Sequence, residues 1–145
     1  MKIFTIGFTK KPAAAFFNRL KDAGVARLID IRLNNTSQLA GFTKKDDLRY
    51  FAREICGIDY LHKPELAPTP EIFDAYKKRN GAWEPFERSF LHLMNERHVE
   101  TTLSPATLDG ACLLCSEEKP HHCHRRLVAE YLREKWPAVE IDHLP

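Results

Sequence analysis

No stretch of this chain is apolar for anything near the ~20 residues that a membrane-spanning helix needs, so a membrane partner is not expected. The opening "MKIFTIGF" is short and turns polar too soon for a secretory signal, which makes the cytoplasm the expected location. An excess of one charge is also missing. The 22 basic and 20 acidic residues leave a formal charge of +2, too even for nucleic-acid binding across the whole surface, although a local basic patch is compatible with it. Internal repeats, low-complexity tracts and linker-like segments are absent as well. Cysteine is scarce. The four thiols, Cys56, Cys112, Cys115 and Cys123, are expected to be reduced, and their even number is no argument for two disulfides.

What is present is the make-up of one ordinary globular domain: 145 residues, 43% apolar and 29% charged, enough for a two- or three-layer structure around a single expected hydrophobic core. "KIFTIGF" reads as a buried strand ending at Gly7. Thr9 is placed to cap a helix with Ala13, Phe16, Phe17 and Leu20 on one face, stopped by Gly24. "VARLIDIRL" is a second, almost continuously apolar strand, the pattern of a parallel sheet covered on both faces. After the polar loop "NNTSQLAG", Thr43 and Asp46 resemble a capping box for a helix whose buried stripe is Leu48, Phe51, Ala52 and Ile55.

"IDYLH" is the third strand, and Thr69-Pro70 opens helical sequence through Ile72, Phe73 and Tyr76. A break at Asn80-Gly81 precedes a helix carrying Phe86, Phe90, Leu93 and Met94. "HVETTLSPATLDG" reads as irregular connection, "ACLLC" as the fourth strand, "RRLVAEYLREKW" as a helix and "VEIDHL" as the fifth strand. The alternation predicts an α/β fold, a mostly parallel five-stranded sheet with helices on both faces and right-handed crossovers. The order of the strands is not legible.

Ligands of open α/β sheets bind outside the carboxyl ends of the strands, and the polar outliers of this sequence fall there. Gly7, Phe8 and Thr9 follow the first strand; Asp30, Arg32, Asn34 and Asn35 the second; His62, Lys63 and Glu65 the third; Cys115, Ser116 and Glu117 the fourth; His143 ends the fifth. Asp30 and Arg32 share a face of a regular strand, so they are placed to pair, either as a tether for a loop or as an acid that aims Arg32 at an anion.

The stretch "LLCSEEKPHHCHRRLVAEYL" is the richest in chemistry. Cys112 and Cys115 lie three apart and face opposite sides of a strand, which argues against a shared zinc knuckle and makes Cys112 a core residue. Cys115 ends the strand, where α/β enzymes place nucleophiles, but Glu117 and Glu118 raise a thiol's pKa unless Lys119, Arg125 or a histidine pairs with them. Pro120 suits the first turn of the next helix. Cys123 and His124 continue its buried face, set by Leu127, Val128, Tyr131 and Leu132, and Arg125 lies at its entrance. Such an entrance is suited to holding an anion and to lowering the pKa of Cys123. Zinc through Cys115, Cys123 and His121 or His122 fits no standard spacing, so no metal is expected.

"IFTIGFTKKPAAAFFNRLKDAGVARLIDIRLNN", "IDYLHKPELAP" and "LLCSEEKPHHCHRRLVAEYL" together resemble the domain-of-unknown-function family numbered 488, in order and over nearly the whole chain. The resemblance implies marked positions at Gly7, Asp30, Arg32, His62, Glu65, Cys115, Glu117, Cys123, His124 and Arg125, and implies no reaction or cofactor. Many members carry histidine where this chain has Phe8, so no general base is implied there. "LIDIR" is also similar to rhodanese-like domains, and a strand-end cysteine before an arginine-bearing helix resembles the cysteine phosphatases. Those phosphatases use a short Cys-x5-Arg loop, whereas ten residues separate Cys115 from Arg125.

The expectation is an enzyme-like domain that binds a phosphate-bearing small molecule, a nucleotide or a nucleic-acid end at the carboxyl rim. Arg32 and Arg125 would hold the anion, with Gly7, His62 and Glu65 around them. Asp30 and Glu117 would orient the arginines or act as acid and base, while Cys115, Cys123 and His124 complete the pocket. The alternatives are a non-catalytic binding or adaptor module whose rim network is structural, and a thiol or metal sensor.

Overall fold

The computed structural model describes residues 1–36, 41–77, 81–117 and 120–145. The end of the "NNTSQLAG" loop, Asn80 of the expected break, and Glu118 and Lys119 beside Cys115 lie outside the described residues. Five strands, β1 (Lys2–Gly7), β2 (Arg27–Asp30), β3 (Asp59–His62), β4 (Ala111–Cys115) and β5 (Glu140–His143), form one sheet of order β3-β2-β4-β1-β5. Every pairing is parallel. The helices are α1 (Ala13–Ala23), α2 (Lys45–Phe51), α3 (Pro70–Lys77), α4 (Trp83–Arg97), α5 (Val99–Thr102), α6 (Pro105–Leu108) and α7 (His124–Lys135). This is the expected α/β architecture.

The core expected as one mass is two layers divided by the sheet. On one face Phe16, Phe17 and Leu20 of α1 and Leu48 of α2 pack against Phe4, Ile6, Leu28, Cys112 and Leu114. On the other, α4 and α7 cover Ile3, Ile29, Leu113 and Cys115. Strand alternation therefore separates the two strand cysteines as anticipated, with Cys112 buried under α1 and Cys115 under α7.

Several local expectations are corrected. Helix α1 starts at Ala13 after Pro12, and Thr9 caps nothing; its backbone N–H and hydroxyl both donate to the Ser116 carbonyl, at 3.0 and 2.5 Å, and so tie the loop after β1 to the loop after β4. Thr43 sits in a 3-10 turn before α2 and makes no capping box. Past α2 the chain continues as a single π turn, Ala52–Cys56, whose wider spacing rotates the stripe out of phase. Ile55 is consequently 42% exposed instead of buried.

The "HVETTLSPATLDG" segment is not irregular: it holds α5 and α6, the latter capped by the Ser104 hydroxyl, which accepts from the Thr107 N–H. Pro120 precedes α7 by a turn closed through Cys123 N–H to the Pro120 carbonyl at 3.2 Å. Cys123 is accordingly the N-cap of α7, and His124 its first residue.

The strand order creates the site. From β2 the chain runs outward to β3, whereas from the neighbouring β4 it runs the other way, through α7 to β5. Loops that leave adjacent strands in opposite directions open a crevice at the carboxyl ends, here between Asp30 and Cys115.

Candidate functional site

That crevice is a cavity of about 310 Å³, within the range of pockets that hold small molecules. Its walls are mainly aromatic: Phe8 after β1, Phe73 and Tyr76 of α3, and Trp83 and Phe86 of α4. Leu33 and Phe73, 42% and 36% exposed, stand at its surface. His122 stacks on Trp83 with centroids 4.8 Å apart and lines the cavity beside it. Of the anticipated residues, Arg32, Cys115, Glu117, Cys123 and His124 line this space.

Cys115 and His124 touch each other in its wall. Cys115 Sγ lies 3.4 Å from His124 Nδ1, while His124 Nε2–H donates to the Ile31 carbonyl at 2.7 Å. That second bond fixes the ring and leaves Nδ1 to face the sulfur. The hydrogen bond from the Cys123 thiol, together with the charges of His124 and Arg125, outweighs burial and holds Cys115 well below the ordinary thiol range. Burial opposes a charge on His124, but the Cys115 thiolate holds its pKa above the usual imidazole value. Both shifts run toward the charged forms, a thiolate on Cys115 and an imidazolium on His124. Cys123 is pushed the opposite way, by burial and by the negative charge of Cys115, and stays a protonated thiol.

Arg125 is completely buried and lies behind the cavity wall. Its Nη1 donates to the Glu117 carbonyl and is 4.0 Å from Cys123 Sγ, and its Nε donates to Thr5 Oγ1 at 3.3 Å. Gly7 is what admits this arrangement: a Cβ there would lie 1.6 Å from the Glu117 carbonyl oxygen and 2.6 Å from Arg125 Nη1. The Glu117 side chain turns away from Arg125 and pairs with Lys77 Nζ of α3 at 2.7 Å.

Asp30 and Arg32 pair as the sequence anticipates, in bidentate fashion: Nε and Nη2 donate to the two carboxylate oxygens at 2.9 and 2.8 Å. Nη2 also donates to the Thr43 carbonyl at 2.7 Å. Asp30 accepts further from the Arg32 backbone N–H and the Tyr60 hydroxyl, so its fully buried carboxylate holds other groups in place and does not reach the cavity. Burial and that carboxylate raise the Tyr60 pKa, which keeps the phenol a donor. Arg32 Nη1 has no hydrogen bond among the described residues, and the guanidinium lies 5.4 Å from the Phe8 ring centroid.

His62 and Glu65 are not among the residues that line the cavity. His62 Nε2–H donates to the Arg32 carbonyl at 2.9 Å. Arg97 Nη1 donates to the backbone carbonyls of Glu65 and Ala67, at 2.8 and 2.9 Å, which pins the loop after β3.

Cys115, Cys123 and His124 have ligand atoms within 4.8 Å of one another, the spacing of a set that can take a metal ion. Of the histidines that sequence spacing offers as ligands, His122 belongs to the aromatic wall instead and His121 stacks on it with centroids 4.4 Å apart.

Sequence reading missed Thr5, Tyr60, Lys77 and the aromatic wall. Thr5 had a signal, as the one polar side chain inside the buried run of β1. Tyr60 and Trp83 had none, because their roles depend on which strands and helices become neighbours.

The family described as Domain of unknown function DUF488 has a model that matches residues 12–132. No curated protein and no solved structure matches the chain.

Proposed function

The chain belongs to the DUF488 family, and we propose that it is an enzyme that uses the Cys115 thiolate as a nucleophile on a small molecule bearing a planar ring and a phosphate or similar anion, of which a nucleotide is the model. One observation carries this: Cys115 Sγ and His124 Nδ1, 3.4 Å apart, form part of the wall of a cavity at the carboxyl rim. Aromatic walls favour a flat ring. Arg32, with Nη1 uncommitted among the described residues and its other nitrogens held by Asp30 and Thr43, is a pre-oriented cation for the anion.

As Cys115 Sγ bonds to the electrophilic atom, the bond from that atom to the leaving group breaks, and the proton on His124 Nδ1 passes to the departing group. Desolvation of the buried sulfur in a largely apolar cavity keeps the thiolate nucleophilic.

The reading is tested by thermal shift with nucleoside monophosphates, sugar phosphates and inorganic phosphate. Ring-bearing phosphates should raise the melting temperature, slow alkylation of Cys115, and lose both effects in Arg32→Ala. If none of the panel protects Cys115, the proposed ligand class is wrong. If Arg32→Ala lowers stability and leaves ligand binding untouched, the rim network is structural, as in a non-catalytic module.

A further inference from the structure

Cys123 is not needed for the nucleophilic step, yet its sulfur sits with those of the reactive pair. Both residues are buried, at 4% and 2% exposure, and both line the cavity, through which a small oxidant can reach them. Cys56 is in contact with neither; its Sγ donates to the Phe17 carbonyl on the opposite face of the sheet, where Cys112 is also buried. Cys123 is the N-cap of α7, outside the helix's hydrogen-bonded body, and the ligand atoms of Cys115, Cys123 and His124 all lie within 4.8 Å of one another. The two sulfurs have only the gap between that separation and a bond of about 2.05 Å to close.

We propose that Cys115 and Cys123 are a peroxide-reactive dithiol, in which Cys115 is oxidised and Cys123 resolves it to an intramolecular disulfide. The inference rests on the reading of Cys115 as the nucleophile. Its thiolate attacks the terminal oxygen of a hydroperoxide. The S–O bond forms as the O–O bond breaks, and the alkoxide, or hydroxide from hydrogen peroxide, takes the proton of His124 Nδ1. Cys115 is now a sulfenic acid. The Cys123 thiol gives its proton to the neutral imidazole nearby and attacks the Cys115 sulfur; the hydroxide displaced as the S–S bond forms takes that proton back and leaves as water. In sum one hydroperoxide and two thiols yield one alcohol (or water), one water and one disulfide. Two equivalents of a low-molecular-weight thiol restore the dithiol.

The protonated state of Cys123 suits this division of labour. A second thiolate beside Cys115 would repel the first and compete for the oxidant, whereas a thiol waits until the sulfenic acid forms. Arg125, which reaches Cys123 Sγ at 4.0 Å, is placed to stabilise that sulfur when it loses its proton.

The test is intact-mass and peptide mapping of the full chain after exposure to a small excess of hydrogen peroxide, preceded by metal analysis of the purified protein. The wild type should lose about 2 Da and yield a Cys115–Cys123 linked peptide, with Cys56 and Cys112 alkylatable only after unfolding. Cys123→Ser should stop at a sulfenic acid on Cys115 that dimedone captures, and Cys115→Ser should show no fast oxidation. A persistent sulfenic acid on Cys115 in the wild type overturns the resolving role of Cys123 and leaves the nucleophile in place. Zinc held at one ion per chain and released only when the thiols are blocked overturns the dithiol. A Cys115 silent toward both peroxide and iodoacetamide sinks the nucleophile reading along with it.

Discussion

Asp30 shows how one buried side chain sets the rest of the rim. Its carboxylate is fully buried and accepts from two nitrogens of Arg32, from a backbone N–H and from the Tyr60 hydroxyl. Removing one partner of such a pair strands the other as an uncompensated buried charge. Asp30→Asn should therefore cost about 3 to 5 kcal/mol in chemical denaturation, and the ligand-stabilised increment should vanish with it. Gly7 is constrained by volume alone, since nothing larger fits between the β1 terminus and the Glu117 carbonyl. Gly7→Ala should destabilise the fold by about 3 kcal/mol, the scale of overpacking in a rigid core, and should raise the alkylation midpoint of Cys115 by displacing Arg125. A variant as stable as the wild type would show that the loop after β4 yields easily.

At the scale of elements, β5 is held to β1 by more than its ladder. Arg125 Nε donates to Thr5 Oγ1, and the same hydroxyl is hydrogen-bonded to His143 Nδ1, 2.6 Å away. Burial first, and the charge of Arg125 second, lower the His143 pKa below its ordinary value of 6.5. With the folded pKa below the unfolded one, the unfolded chain binds more protons in this window. The contribution is complete above about pH 6.5 and is lost as pH falls through the lowered folded value. Urea melts should show stability falling on acidification from neutral pH, with a shallower slope in His143→Gln. An unchanged slope would remove His143 from the account.

The same scale shows where local sequence rules gave way. The expected caps at Thr9 and Thr43 follow a sound local pattern, but tertiary demands took both residues: Thr9 joins two loops, and Thr43 presents its carbonyl to Arg32. The π turn after α2 leaves no mark in hydrophobic spacing, and the phase error at Ile55 follows from it.

For the whole molecule, the α/β class and the parallel sheet were legible, because continuous apolar strands alternating with amphipathic helices admit few other arrangements. The placement of polar residues on one rim followed from the same parallelism. Strand order did not, and it decides that β2 and β4 are neighbours, that Asp30 and Cys115 flank one crevice, and that Arg125 points beneath β1 while Arg32 lines the cavity. Helix phase gave Cys123 and His124 as buried but could not supply the 3.4 Å approach of His124 to Cys115, which depends on where α7 docks.

The most direct test of the nucleophile is the pH dependence of Cys115 alkylation by iodoacetamide, followed by peptide mass spectrometry in the wild type and in His124→Asn. Alkylation follows the thiolate fraction, so the rate rises with pH through the thiol's pKa and levels off above it. The wild-type midpoint should lie well below the ordinary thiol value of 9.0, and loss of the imidazolium should move it upward and slow the reaction at neutral pH. A wild-type midpoint at or above 9.0, or one that His124→Asn leaves in place, would contradict the thiolate–imidazolium pair on which the proposed function stands.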